Sequence, residues 1–117
     1  MQYSHRVIDN ILVLTFEGDL IGENHGPELV SLANDHINDD IFYCVIDISN
    51  VRYINSSGIG VLITLLTKFR NKEGEVILVK PSKTVEKLLM ITKLSSIFQI
   101  SENVEEAISQ IKKSVNQ

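Results

Sequence analysis

Asn55-Ser56-Ser57-Gly58 stands between two strongly apolar stretches, and its serines are the side chains best placed to do chemistry. A serine hydroxyl has three common uses: as an activated nucleophile, as an acceptor of a phosphoryl group, or as a helix cap. The first needs a histidine base and a carboxylate to orient it. "NSSGIG" lacks the G-x-S-x-G spacing, and none of His5, His25 and His36 stands out as a partner. Those histidines are also not at metal-ligand spacing and have no Cys/His/carboxylate cluster beside them, so no metal is expected. Gly58-Ile59-Gly60 lacks the later glycine of a dinucleotide fingerprint, and no GK[ST] occurs. The chain reads as a non-enzyme without a cofactor.

Capping accounts for part of the tetrapeptide, because Asn and Ser oxygens accept bonds from the first free N–H groups of a helix. One cap needs only one side chain, yet three polar residues stand in a row. They follow a buried-type strand, the place where α/β folds expose their functional loops. A serine at a positive helix end also tolerates an added phosphate without unfolding.

The elements that position this loop follow from hydrophobic period. "HRVI" and "ILVLTF" flank Asp9-Asn10, a pair suited to a tight hairpin. Gly18-Asp19-Leu20 and a polar loop follow, and Pro27 marks an early turn of a helix carrying Leu29, Val30, Ala33 and Ile37. "IFYCVIDI" reads as a strand covered on both faces. The helix after the serines presents Ile59, Leu62, Ile63, Leu66 and Phe69, with Gly74 as its stop. "EVILVK" is a further buried strand. Pro81-Ser82 opens a helix in which Val85, Leu88, Leu89 and Met90 read as core, and "IFQI" is a short strand. Asn103 with Glu106 starts a last helix carrying Val104, Ala107, Ile108, Ile111 and Val115. The order β-β-α-β-α-β-α-β-α predicts an α/β fold with parallel pairs, mixed because of the initial hairpin.

At 117 residues the chain is one domain's worth, with no linker, repeat or low-complexity segment. The net charge of −4, with scattered basic residues, argues against direct nucleic-acid contact and against anionic membranes. The N-terminus has no signal-peptide pattern, and no run reaches the ~20 apolar residues of a membrane span. The lone Cys44, inside "IFYCVI", reads as a buried thiol in a reducing compartment. A cytoplasmic location, without membrane insertion, is the expectation.

"VIDISNVRYINSSGIGVLITLLTKFRNKEGEVILVKP" resembles the core of the STAS domain, found in bacterial anti-sigma-factor antagonists and in the tails of sulfate transporters. Asp47, Ser49, Val51 and Ile54 fit the family's approach to its signature, and Ser56, Ser57, Gly58 and Ile59 fit the signature itself. "FEGDL" and "GEVILVKP" resemble two further family segments, so the likeness runs in order from about residue 5 to about residue 110. The resemblance implies one STAS domain over residues 1–117: an α/β, mixed sheet of four to five strands with about four helices packed against it. It also implies a stand-alone antagonist that binds an anti-sigma factor with serine kinase activity and frees the sigma factor. Phosphorylation of Ser56, with Ser57 as the alternative, would switch that binding off, and a PP2C-type phosphatase would reset it. Partner contacts are expected from Asp19, Asn24, Asn50, Arg52, Tyr53, Asn55, Ser57 and Gly58, with Asp19 and Asn24 on the early loop and Asn50, Arg52 and Tyr53 on the loop before the signature. Two departures stand out: Asn55 replaces the family's usual Asp, and Ile21-Gly22 replaces the acid that follows Gly-Asp-Leu in many relatives. A STAS scaffold subunit of a lipid-transport or sensory complex, with the serine only a cap, is the alternative.

Overall fold

A computed structural model describes residues 2–115. Strands β1 (Gln2–Ile8) and β2 (Ile11–Leu20) form an antiparallel hairpin, followed by helix α1 (Gly22–Asn38) and strand β3 (Tyr43–Ile54). Helix α2 (Ser56–Arg70), strand β4 (Glu75–Val79), helix α3 (Lys83–Ile91), strand β5 (Gln99–Ser101) and helix α4 (Val104–Val115) complete the order. The sheet runs β1-β2-β3-β4-β5, and every pair after the hairpin is parallel. Asp9 and Asn10 both adopt positive φ, 52° and 64°, as a two-residue type I′ hairpin turn requires.

Three helices cover one face of the sheet. Leu29 and Ala33 of α1, Leu62, Leu65 and Phe69 of α2, and Val85 and Leu89 of α3 close over Leu12, Leu14, Phe16, Ile46 and Leu78. Helix α4 alone covers part of the other face, setting Ala107 and Ile111 on Ile11, Val13, Val45 and Ile77. Cys44 is fully buried in the larger cluster, where burial raises its thiol pKa and keeps it neutral.

Several elements differ from the hydrophobic reading. Gly18-Asp19-Leu20 is the end of β2, and Asn50, Arg52 and Tyr53 lie on β3. The cause is a pair of β-bulges. Between the pairs Thr15↔Asp47 and Glu17↔Asn50, β3 carries one extra residue, and it carries another between Gly18↔Val51 and Asp19↔Tyr53. Inward-facing residues therefore recur every third position, at Ile48, Val51 and Ile54, all buried. A strand read by alternation ends at Ile48. The Asp47 carboxylate holds the first bulge by accepting from the Ser49 N–H at 3.0 Å and the Ser49 hydroxyl at 2.7 Å.

Helix α1 starts five residues before Pro27, so Asn24, which is exposed, sits in its first turn rather than in a loop. The buried side of α2 is Gly58, Val61, Leu62, Leu65, Leu66 and Phe69; Ile63 is exposed and Ile59 half-buried. Strand β5 is Gln99–Ser101, one to two residues later than "IFQI". Met90 is not core: it is 63 % exposed, because α3 buries only Val85 and Leu89 fully.

The bulged register makes Val51 a core residue and Tyr53 a surface one. Val51→Ala should cost about 2 kcal/mol of unfolding free energy and Tyr53→Ala less than about 0.5 kcal/mol, measured by urea denaturation. Equal, small losses would mean that residues 49–54 form a loop.

Candidate functional site

The parallel strands β2 and β3 end together, with Leu20 opposite Ile54, and the chain passes from β3 into α2 through Asn55. Asn55 has extended backbone (φ −83°, ψ 176°), as an N-cap requires, and its Oδ1 accepts from the Gly58 N–H at 2.7 Å. The same oxygen accepts from the Ser57 hydroxyl at 3.0 Å and from the Gly22 N–H at 3.3 Å. Gly22 is the first residue of α1, whose own flank Ile21 supplies no side-chain cap. Asn55 thus caps two helices, its own and one whose first residue lies 33 positions earlier. Its backbone N–H donates to the Leu20 carbonyl at 3.2 Å, tying the cap to the end of β2.

This convergence leaves no room for side chains at two positions. A Cβ at Gly22 would lie 2.3 Å from the Ser57 carbonyl oxygen, and one at Gly58 would lie 2.4 Å from that of Leu20. The glycine at position 22 thus has a steric reason: residue 22 meets the backbone of α2. Its importance is not legible from the sequence, where the only signal is a glycine two residues after the last residue of β2.

Ser57 is half-buried and bonded to the cap, whereas Ser56, one residue earlier, is exposed. Among the described residues the Ser56 hydroxyl makes no hydrogen bond. The cap is complete without it, so the two serines are not equivalent. Ser56 occupies the first helical position of α2, where backbone N–H groups and the helix dipole favour negative charge.

Asp19 and Tyr53 are register partners beside the cap, and the Arg52 guanidinium meets the Asp19 carboxylate at 3.4 Å. With the Arg52 side chain 79 % exposed, this pair contributes about 0–1 kcal/mol and serves mainly to orient the guanidinium. Asp19, Arg52, Tyr53, Asn55, Ser56, Ser57 and Gly58 therefore gather at the C-terminal edge of β2 and β3. Asn24 stands in the first turn of α1, two residues beyond the Gly22 contact. Asn50 lies on the first bulge, five residues before Asn55 and so roughly 15 Å down the strand, outside this group. Ser82, unremarked among the candidates, caps α3 by accepting from the Val85 N–H and donates to the Val51 carbonyl at 3.2 Å, which docks α3 on the second bulge. Among the described residues no group of three or more His, Cys, Asp or Glu side chains could hold a metal ion.

The STAS domain family model matches residues 2–107, so the chain belongs to the STAS domain family. A Thermotoga maritima protein provisionally named an anti-sigma factor antagonist is 23 % identical over 111 residues, covering 95 % of this chain and 98 % of the relative. The crystal structure of a T. maritima protein carrying the same provisional name superposes with a TM-score of 0.84 at 23 % identity, covering 94 % of each chain. The anti-sigma factor antagonist SpoIIAA superposes in its unphosphorylated form with a TM-score of 0.76 at 17 % identity, covering 95 % of this chain and 98 % of that one. Its phosphorylated form, from Bacillus, gives 0.74 at 19 % identity, covering 94 % and 99 %. The five-stranded mixed sheet with four helices is the STAS fold.

Losing the shared acceptor uncaps two helices at once. Asn55→Ala should therefore destabilise by about 2 kcal/mol, at the upper end for a cap, whereas Ser56→Ala should stay within about 0.5 kcal/mol. Asn55→Asp should stabilise by about 0.5–1 kcal/mol, because it places a carboxylate at two helix N-termini. Urea denaturation of the three variants checks this ranking, and a costly Ser56→Ala would return that serine to a capping role.

Proposed function

We propose that this chain is an anti-sigma-factor antagonist, a binding protein rather than an enzyme. In this reading it captures an anti-sigma factor with serine kinase activity and so frees the sigma factor. Phosphorylation of Ser56 ends that binding, and a PP2C-type phosphatase restores it. It works in the cytoplasm as a single STAS domain spanning residues 1–117. The observation that carries the switch is the division of labour at the start of α2: Asn55 and Ser57 complete the cap, and the Ser56 hydroxyl stands exposed outside it. The relatives' names support the antagonist reading, and SpoIIAA, which has been solved with and without phosphate, is a structural neighbour over most of this chain.

The physical basis is local. In transfer, the Ser56 oxygen attacks the γ-phosphorus of ATP, ADP leaves, and a base on the kinase takes the hydroxyl proton. The product carries about −1.5 to −2 charges at pH 7. At the first position of α2 that charge meets helix N–H groups, so the fold accepts it. At a protein interface the same charge must lose water or face the partner's own charges. Inverting a 99:1 preference takes roughly 5.5 kcal/mol, a magnitude within reach of a doubly charged group in a tight contact.

Asn55 favours one alternative. Without the carboxylate that usually precedes the phosphorylated serine, a kinase that reads that charge would pass over Ser56, leaving a scaffold subunit of a lipid-transport or sensory complex. Incubation with ATP and the histidine-kinase-like ATPase encoded nearest the gene, followed by mass spectrometry, separates the two. The switch predicts one phosphate on Ser56, lost in Ser56→Ala, and a melting temperature no lower than that of the unmodified protein. No phosphate beside a working control would select the scaffold.

A further inference from the structure

Outside the serine site, the two most exposed large apolar side chains among the described residues lie where α3 turns toward β5. Met90 is 63 % and Ile91 71 % exposed, and Ile97, after the turn Leu94–Ser96, is 39 % exposed. Single exposed aliphatics are ordinary, but three within eight residues form a patch. It carries basic side chains around it. Lys83 and Lys87 lie two turns and one turn before Met90 and Ile91 on α3, and Lys93 follows them. All three lysines are exposed, and among the described residues none is ion-paired. Glu86 is the one acid on α3. This face is therefore basic on a chain whose net charge is −4.

The helix face that carries the patch also starts beside the strand that leads into the serine site. The Ser82 hydroxyl donates to the Val51 carbonyl, so α3 begins against the bulge that displays Arg52 and Tyr53. Along α3 the exposed side chains run from Lys83, next to Ser82, through Lys87 to Met90 and Ile91.

We infer that the outer face of α3, an apolar centre of Met90, Ile91 and Ile97 rimmed by Lys83, Lys87 and Lys93, is a second contact surface for the anti-sigma kinase, docking on an apolar surface of that partner ringed by acidic groups. This inference rests on the antagonist reading. It divides the interface into a switched end at Ser56 and a constant end at α3. A phosphate on Ser56 then acts on an encounter that α3 has already oriented. Lysines around an apolar centre steer an acidic partner and raise the association rate, while the buried centre slows dissociation.

The test is calorimetric titration of the full chain into the neighbouring-gene ATPase loaded with nucleotide, at 50 mM and 500 mM salt, together with the chain's own oligomeric state. Three variants are compared with the wild type: Met90→Glu/Ile91→Glu, Lys83→Glu/Lys87→Glu and Ser56→Asp. All the changed side chains are exposed, so circular-dichroism melts should match the wild type, and Met90→Leu controls for shape. The expected result is about tenfold or greater weakening in the apolar variant with Met90→Leu unchanged. The lysine variant should bind about tenfold more weakly at low salt and lose most of the wild type's salt dependence. Wild-type affinity in both α3 variants, with binding abolished in Ser56→Asp, would overturn the second surface and leave the antagonist reading standing. A dimer that becomes monomeric in Met90→Glu/Ile91→Glu while still binding the ATPase at full strength would assign the patch to a second copy instead. Absence of wild-type binding to a folded, nucleotide-competent ATPase would overturn both readings.

Discussion

One amide oxygen organises the functional end of this molecule. Asn55 Oδ1 receives the N–H of Gly58, the N–H of Gly22 and the hydroxyl of Ser57, and thereby joins the N-termini of two helices that start 34 residues apart. The geometry works because residues 22 and 58 are both glycines, each in a space where a Cβ would strike backbone. Everything at the site follows from this. The helices meet at the end of β2 and β3, the second serine is drawn into the cap, and the first is left outside it. A carbonyl oxygen has only two lone pairs, so its three donors share them, and the longest bond is the one to Gly22. The neutral amide has an electrostatic consequence as well. A carboxylate would cap both helices more strongly but would place a like charge beside any phosphate on Ser56.

The bulges on β3 are the second constraint. They carry the strand beyond its partner β4, whose ladder stops at Val79 opposite Asp47, and give it a three-residue repeat over Ile48, Val51 and Ile54. Each bulge sends two side chains outward for every one sent inward, so Arg52 and Tyr53 reach the surface together. An ordinary strand would have turned one of them into the core. The freed Val51 carbonyl is taken by Ser82, the cap of α3. A single irregularity thus displays polar side chains near the serine and fastens the next helix beside them.

The division between what was legible and what was not follows from the range of the interactions. Local signals read true: the Asp9-Asn10 turn, the helix opened at Pro81-Ser82, the Asn103 cap, the buried strands at 43–48 and 75–79, and the helix start at the serines. The start of α1 did not, because its cap comes from another element and Pro27 was the only nearby marker. The end of β3 did not, because two bulges replace the period of two that identifies a strand. Met90 and Ile63 are apolar but not buried: α3 is short and buries only Val85 and Leu89 fully, and α2 buries Gly58, Val61 and Leu65 in place of Ile59 and Ile63 beside the expected Leu62, Leu66 and Phe69. The candidate site was proposed from its residue types, whereas the distinction between Ser56 and Ser57 needed the side-chain geometry.

That distinction bears on how a phosphate could act at all. A modification can change binding by altering the fold or by altering the surface. The fold route would require Ser56 to hold something in place, and its hydroxyl is bonded to nothing among the described residues. A cap of about 1–2 kcal/mol, had Ser56 supplied it, would also fall short of the roughly 5.5 kcal/mol needed to invert a strong preference. Around Ser56 the backbone is closely constrained, with α1 against Ser57 and β2 against Gly58, so the start of α2 has little space in which to rearrange. The remaining route is direct, through charge and hydration added where a partner would touch. A rigid, already capped helix end would serve such a switch better than a flexible one, because a phosphate there would be fixed in position and its effect on a partner not diluted by motion.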